Sequence, residues 1–359
     1  MTERSSGRRV TLTEVAERAG VSRSAASFAL NGRLDQRLSV ETMARVRRAA
    51  DELGYRANVT AKTLRTGRSG TVALVSDFVS STSFANSMVR GALERLREAG
   101  LLLFTVDTQG DAEMERRFLD DLVARDIDGI LYASMFTRRV TPPASARHTA
   151  LVLMNCEADD AAISSVVPDE RAAGATAARL LQEAGHDRDI WFVGTLAPGR
   201  TGGSAWHEWG PVALPRRLEG IRAQLAAAGT QLAGEVAVDD DWTVHDGRDA
   251  AERLLASGAR PRAVICVNDA VGVGVFQALR RAGLRVPDDV SLVSFDGGVL
   301  AEATDPQLVS LRLPQAEIGR RAADLLLSPD EGTRHELVEM PVSGGGTIAP
   351  PPPNVIRVC

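Results

Sequence analysis

Thr11-Leu-Thr-Glu-Val-Ala-Glu-Arg-Ala-Gly20-Val-Ser-Arg-Ser-Ala-Ala-Ser-Phe-Ala-Leu30 carries the local signals from which the rest of the chain can be read. Thr11, three residues ahead of Glu14, forms a capping-box pattern, in which each residue satisfies a backbone donor of the other. The apolar Leu12, Val15, Ala16 and Ala19 follow at helical spacing until Gly20 supplies a stop. Ser22 caps a second helix running to about Leu30, with Ala26, Ala29 and Leu30 on its inner face and Arg23, Ser24, Ser27 and Phe28 facing outward; Asn31-Gly32 ends it. A third helix begins at Ser39, carries Met43, Val46, Ala50 and Leu53 at spacings of three and four, and closes at Gly54. Two short helices joined by a tight turn around Gly20-Val21 and braced by a third form a helix-turn-helix, although any small three-helix bundle could share that spacing.

Charge separates this head from the rest of the chain. Residues 1–70 hold 14 Lys+Arg against 7 Asp+Glu, a net +7, whereas the remainder holds 28 against 40, a net −12. A basic head is the electrostatic footprint of a nucleic-acid-binding module, and equally that of a merely solvated basic face. The full 359 residues, 44% hydrophobic and 25% charged, suit two or three globular domains. No stretch approaches the length of a transmembrane helix, and the opening Met-Thr-Glu-Arg-Ser lacks a secretory apolar run, so a soluble cytoplasmic protein is expected. Cys156, Cys266 and Cys359 are far apart and lack metal-ligand spacing; they are expected to be reduced thiols, with no metal and no cofactor.

After Gly54, Asn58 can cap one or two helical turns containing Ala61 and Leu64, with Gly67 as a stop. So short a helix is marginal alone.

From Val72 the chain alternates β-rich apolar runs with amphipathic helical stretches. Candidate strands are Val72–Val75, Leu102–Val106, Gly129–Tyr132, Ala150–Met154, Ile190–Val193, Val236–Val238, Ala263–Val267 and Val290–Ser294. Helical patterns fall at about 84–99, 112–125, 171–185, 213–228, 245–257 and 269–282. This is an α/β pattern of parallel, doubly wound sheets, and its length suits two sheets better than one. Ligands of such sheets bind beyond the carboxyl ends of the strands.

Val10 to Ser22, Leu30-Asn-Gly32, Glu52-Leu-Gly-Tyr55 and Leu64-Arg-Thr-Gly67 together resemble the signature of the lactose/galactose repressor (LacI/GalR) family of bacterial transcription regulators. The body resembles that family's effector-binding core through Ser165-Val-Val-Pro-Asp-Glu170, Ala184-Gly-His186, Arg217-Leu-Glu-Gly220, Val267-Asn-Asp269, Leu284-Arg-Val-Pro287, Ser294-Phe-Asp296 and Glu317-Ile-Gly-Arg320. The resemblance implies an N-terminal helix-turn-helix DNA-binding domain at 1–57 and a hinge helix with linker at 58–70. It further implies a periplasmic-binding-protein-like core of two subdomains at 71–345, leaving an irregular tail at 346–359. In that family the second helix enters the major groove, and the hinge helices of two subunits pair in the minor groove, each inserting a leucine.

Carried over residue by residue, Arg23 and Ser24 become groove-reading positions, Ser22 and Ser27 phosphate contacts, and Leu64 the wedge of a hinge helix that also holds Asn58 and Ala61. Phe28 stands where the family usually has an arginine, and Ala57 replaces the usual hinge proline. The implied cleft residues are Asp77, Phe84, Asn155, Arg217, Trp242, Asn268 and Asp296. A guanidinium fork and a carboxylate suit a polyhydroxylated ligand stacked on an aromatic ring, so the expected effector is sugar-like. Arg217 and Asp296 could instead form a structural ion pair, and Asp77 and Asp269 could be helix caps. The segment Gly194 to Pro215, with Trp206 and Trp209, is longer than the usual connection and reads as a solvent loop, a subunit contact or a lid.

The implied function is a transcriptional regulator, most simply a repressor, that binds a pseudo-palindromic operator as a homodimer under control of a small molecule. The competing reading is a cytoplasmic α/β enzyme acting on a small polar metabolite. Val271-Gly-Val-Gly274 lacks the third glycine of a dinucleotide fingerprint, no nucleophile elbow or His-Glu-x-x-His pair occurs, and five histidines are scattered, so no catalytic residue is expected.

Overall fold

The computed structural model describes residues 10–30, 38–56, 63, 67–79, 85–196, 212–238 and 242–352, and the chain divides into two compact units, Met1–Ser69 and Gly70–Cys359. In the first unit, α1 (Leu12–Ala19), α2 (Arg23–Leu30) and α3 (Val40–Leu53) enclose a small core of Val15, Ala16, Ala19, Ala26, Ala29, Val46, Ala49 and Ala50. The expected caps are present. Glu14 Oε2 accepts from the Thr11 backbone N–H at 2.7 Å, and Thr11 Oγ1 accepts from the Glu14 N–H. Ser22 Oγ accepts from the Ala25 N–H at 3.1 Å, and Ser39 caps α3. Gly20 and Gly54 end their helices at φ of 66° and 65°, a conformation that costs a residue with a Cβ.

The second unit contains two six-stranded sheets. The first runs in the order β2-β1-β3-β4-β5-β11, from β1 (Thr71–Ser76), β2 (Leu102–Asp107), β3 (Gly129–Arg139), β4 (Leu151–Glu157), β5 (Ser164–Pro168) and β11 (His335–Val338), all parallel. The second runs β7-β6-β8-β9-β10-β12, from β6 (Ile190–Leu196), β7 (Gly234–Val238), β8 (Ala263–Cys266), β9 (Ser291–Asp296), β10 (Val309–Arg312) and β12 (Val342–Ser343), with β12 antiparallel to β10.

Side-chain alternation explains the layers. Val72 and Leu74 of β1 pack under α4 (Ala85–Glu98) and α11 (Gln315–Leu327), while Ala73 and Val75 face Leu119 of α5 (Ala112–Val123) on the other side. Around the second sheet lie α6 (Glu170–Glu183), α7 (Ala213–Ala227), α8 (Val244–Ala256), α9 (Asp269–Arg281) and the single turn α10 (Val299–Glu302), over one continuous core.

The chain crosses between the two sheet subdomains at β5 to α6, β10 to α11 and β11 to β12. Helix pairs within each subdomain approach closely through glycine. A Cβ on Gly174 would stand 2.1 Å from the Arg217 carbonyl oxygen, and one on Gly274 2.2 Å from that of Val244. The glycines of Val271-Gly-Val-Gly274 are therefore packing devices.

Two expectations need correction. The strand expected at Ala150–Met154 runs on to Glu157: Asn155 adopts φ 58° beside a register shift between β3 and β4, and pairing then resumes. The short strands β5, β10 and β11, together with α11, lie outside the candidate strands and helical patterns. The described part of the C-terminal segment, to residue 352, has the expected irregular backbone and packs against the second sheet. Thr347 is fully buried; its Oγ1 accepts from the Val309 N–H at 2.9 Å and donates to the Leu292 carbonyl at 2.8 Å, and the Ala349 carbonyl is held by His186 and Ser291. Among the described residues no helix is long and apolar enough to cross a membrane, and no cluster could hold a metal ion.

Candidate functional site

On α2, Ser22, Arg23 and Ser24 are exposed at the amino-terminal end, and Ser27 and Phe28 are half-buried. Ser22 spends an oxygen lone pair on its cap, and the remaining side chains of this end point away from the small core. Asn58, Ala61 and Leu64, together with Phe84, Trp206 and Trp209, lie outside the described residues.

In the second unit a cavity of about 570 Å3 opens between the two sheet subdomains, at the carboxyl ends of their strands. One side is Met135, Phe136 and Thr137 of β3 with Asn155 of β4; the other is Leu214 and Arg217 of α7, Trp242 to Val244, Val267 to Ala270, Asp296 and Gly298 to Leu300. Glu170, Leu313 and Gln315, from two of the crossovers, complete the lining. Five of the seven expected cleft residues therefore line one cavity: Asn155, Arg217, Trp242, Asn268 and Asp296.

Their surroundings differ from what their chemistry alone suggested. Arg217 lies one turn into α7, is 6% exposed, and pairs with Glu170, which is 1% exposed at the start of α6. Its Nε and Nη2 donate to the two Glu170 oxygens at 2.5 and 3.1 Å, its Nη1 donates to the Val267 carbonyl at 2.6 Å, and its guanidinium lies 4.5 Å over the Phe295 ring. Burial opposes its charge, but the Glu170 carboxylate outweighs that and holds the pKa above the ordinary value. A structural ion pair involving Arg217 does exist, with Glu170 rather than Asp296.

Asp296 ends β9 at φ 105°, half-buried. Among the described residues its carboxylate accepts no hydrogen bond. Burial, opposed by nearby Arg217 and reinforced by Asp269 and Glu170, pushes its carboxyl up to about 8. Asp269, by contrast, is fully engaged: Oδ1 accepts from the Ser294 and Ser310 hydroxyls at 2.5 and 2.6 Å, and Oδ2 from the Gly298 N–H at 2.8 Å. It ties the ends of β9 and β10 to the loop before α10.

Asp77 stands outside the cavity lining, which corrects the expectation for it. Only 2% exposed, it accepts from the Phe78 and Met135 backbone N–H groups, the Ser134 hydroxyl at 2.6 Å and Arg138, and so clamps the end of β1 to the irregular stretch of β3. Asn155 lines the cavity with both amide atoms engaged, Oδ1 by Thr137 and Nδ2 by the Ser134 carbonyl. Asn268 caps α9 through Oδ1, and its Nδ2 reaches the Trp242 carbonyl only at 3.4 Å. Trp242, at φ 47°, donates its indole N–H to the Gly194 carbonyl at 3.0 Å, which fixes the ring in the cavity wall.

Two lining residues were absent from the expected site. Glu170 ends the quoted motif Ser165 to Glu170, and its burial against Arg217 carries no sequence signal of its own. Gln315 is 5% exposed, and its Oε1 has no hydrogen-bond partner among the described residues.

Two family models match the chain. Residues 70–343 match the periplasmic binding proteins and sugar binding domain of the LacI family, and residues 11–58 match the bacterial regulatory proteins of the lacI family. The ribose operon repressor of Escherichia coli (strain K12) is 30% identical over 321 residues, covering 88% of this chain and 92% of that protein. The transcriptional repressor CytR of the same organism is 28% identical over 333 residues, 90% of each. Among solved structures, the cellobiose complex of the transcriptional regulator CelR superposes with a TM-score of 0.63 at 28% identity, over 94% of this chain and 100% of that one. The lac repressor dimer bound to operator and the anti-inducer ONPF shares the fold, with a TM-score of 0.77 at 21% identity over 95% and 100%.

Proposed function

The chain belongs to the lacI family of bacterial regulatory proteins, and we propose that it is a cytoplasmic transcriptional repressor that binds a pseudo-palindromic operator as a homodimer under control of a sugar-like small molecule. In this reading residues 1–57 bind DNA, 58–70 form the hinge, 71–345 form the effector-binding and dimerisation core, and 346–352 seal that core. Arg23 and Ser24 read base edges, Ser22 and Ser27 hold phosphates, Phe28 contacts a thymine methyl, and Leu64, on a hinge helix with Asn58 and Ala61, is the minor-groove wedge.

The observation that carries the reading is the Asp296 carboxylate, without a protein donor at the wall of a cleft, in a chain that also exposes a helix-turn-helix. A half-buried carboxyl with no protein donor is open to hydrogen bonds from a ligand in the cleft. Asn268, through its loosely held amide, and the face of Trp242 add a donor and a stacking surface. Dimerisation is supported by an apolar surface on the first sheet subdomain. The edge strand β2 leaves Leu102 and Phe104 64% and 55% exposed, and α5, next in the chain, exposes Met114 and Phe118. The enzyme reading finds less support: among the described residues lining the cleft there is no histidine or cysteine, and the hydroxyls of Ser294 and Ser310 are spent on Asp269.

The test is operator binding by the full chain, with an operator selected from a randomised pool, measured across salt and with sugars added. Affinity is expected to fall steeply with salt, to disappear when residues 1–68 are deleted, and to change with a bound sugar. Salt-insensitive duplex binding by the truncated chain would overturn the proposal.

A further inference from the structure

The crossover from β10 to α11 runs Arg312-Leu-Pro-Gln315. The Leu313 N–H donates to the Asp296 carbonyl at 3.0 Å, so the chain is tied to the end of β9 two residues before Gln315 opens α11. Helix α11 packs on α4, β3, β4 and β5, which places Gln315 on the first turn of the other subdomain. Asp296 and Gln315 therefore flank one hinge from opposite sides, both line the cavity, and each presents oxygen without a donor among the described residues. A side chain 95% buried keeps such an atom at a cost that protein packing does not recover here.

Charge and polarity limit what can supply the donors. The only cation among the described lining residues is Arg217, whose three nitrogens already serve Glu170 and the Val267 carbonyl. Glu170 is matched by Arg217 and Asp269 adds a further carboxyl group, so the described lining offers no free positive charge. At the lip, Val299 and Leu300 are 77% and 41% exposed yet face the cavity.

We infer that Gln315 is a specificity-determining residue that bridges the hinge with Asp296 through hydroxyl groups of an uncharged ligand, whose apolar part rests on the lip formed by Val299 and Leu300. The inference rests on the effector reading above and deepens it. A hydroxyl both donates and accepts, so it satisfies the Gln315 amide in either rotation of its end group. A phosphorylated or carboxylated ligand is disfavoured because the described lining offers it no free cation, and a bare monosaccharide leaves the lip uncovered.

Calorimetric titration of the full chain tests this with D-ribose, cellobiose, adenosine and p-nitrophenyl β-D-glucoside as uncharged probes, beside D-ribose 5-phosphate and D-glucose 6-phosphate. At least one uncharged probe with an apolar face is expected to bind, and neither phosphate. Gln315→Leu is expected to weaken that probe by about 10-fold or more, the cost of leaving one buried polar partner unmet, without lowering the melting temperature. Gln315→Glu keeps the shape and is expected to weaken it further by replacing an amide that both donates and accepts with a carboxylate that only accepts. Tighter binding of either phosphate overturns the ligand class. Undiminished binding by Gln315→Leu of a probe that Asp296→Asn has lost overturns the role of Gln315 while leaving the effector site standing. A wild-type chain that binds no probe overturns both.

Discussion

Asp296→Asn is the substitution whose consequences follow most directly from the geometry. In the folded chain burial pushes this carboxyl up to about 8, while an unfolded aspartate releases its proton near the reference value of 3.8. Between those values the folded state retains a proton that the unfolded state has lost, so stability falls as pH rises through the window and levels off above pH 8. Each pKa unit corresponds to about 1.4 kcal/mol, which gives about 4 kcal/mol between pH 5 and pH 8. Solvent reaching this half-buried group reduces that, and a loss of about 2 kcal/mol is the expected magnitude. Asparagine has the same shape, carries no charge, and tolerates positive φ better than most residues, so the φ of 105° adds no new strain. Urea unfolding at pH 5, 6.5 and 8 should show the variant gaining steadily on the wild type as pH rises. The same variant should weaken hydroxyl-bearing ligands, because the amide N–H2 only donates where the carboxyl oxygen it replaces can also accept. A stability difference that is constant from pH 5 to pH 8 would refute the reasoning.

Arg217→Met leaves Glu170 buried without its partner and should destabilise the core by about 3–5 kcal/mol in urea unfolding, much of it recovered by adding Glu170→Gln. Thr347→Val keeps the volume but strands the Val309 N–H and the Leu292 carbonyl, so a loss of about 1–3 kcal/mol is expected in thermal denaturation. Arg216→Ala breaks the paired hydrogen bonds at 2.7 Å to Glu157 that join the two sheet subdomains. At 29% and 20% exposure that pair should contribute only about 1 kcal/mol to stability, while small-angle scattering should report a more open cleft.

How much could be read from the sequence depends on where each signal is stored. Capping side chains act within four residues, so Thr11, Gly20, Ser22, Ser39 and Gly54 define the first unit without tertiary context. The central strands declare themselves as buried runs such as Val72–Val75 and Ala263–Cys266. Strands β5, β10 and β11 are short and mix serine, arginine, histidine and glutamate with apolar residues. They are strands because neighbours pair with them at the crossovers, which local pattern cannot show. At the cavity, the family resemblance pointed to Asn155, Arg217, Trp242, Asn268 and Asp296, which line it, but not to their partners. Whether a guanidinium meets Glu170 or Asp296, and whether Asp77 faces a cavity or a backbone clamp, depends on contacts between residues tens to hundreds of positions apart. Gln315 was invisible for the complementary reason: its distinguishing property is a missing partner, which exists only once the chain is folded.

That distinction between engaged and unengaged polar groups also locates the switch. A ligand can alter DNA affinity only to the extent that it binds one arrangement of the two sheet subdomains better than another. Arg217, Glu170, Asp269 and Asp77 are each satisfied within one subdomain and keep their contacts whichever arrangement is adopted. Among the described residues, hydrogen bonds that cross the cleft include Arg216 with Glu157 and the Val212 N–H with the Thr137 carbonyl at 3.0 Å, and these would be broken if the subdomains separated. These cross-cleft contacts involve α7, the helix that also carries Arg217. Within each subdomain the glycine contacts lock helix to helix, as where Gly174 meets the Arg217 carbonyl, so bending is confined to the crossovers. A ligand held by Asp296 on one side of a crossover and Gln315 on the other acts at that bend itself. Its hydrogen bonds are therefore made or lost with the rotation, and their free energy sets the upper limit of the coupling.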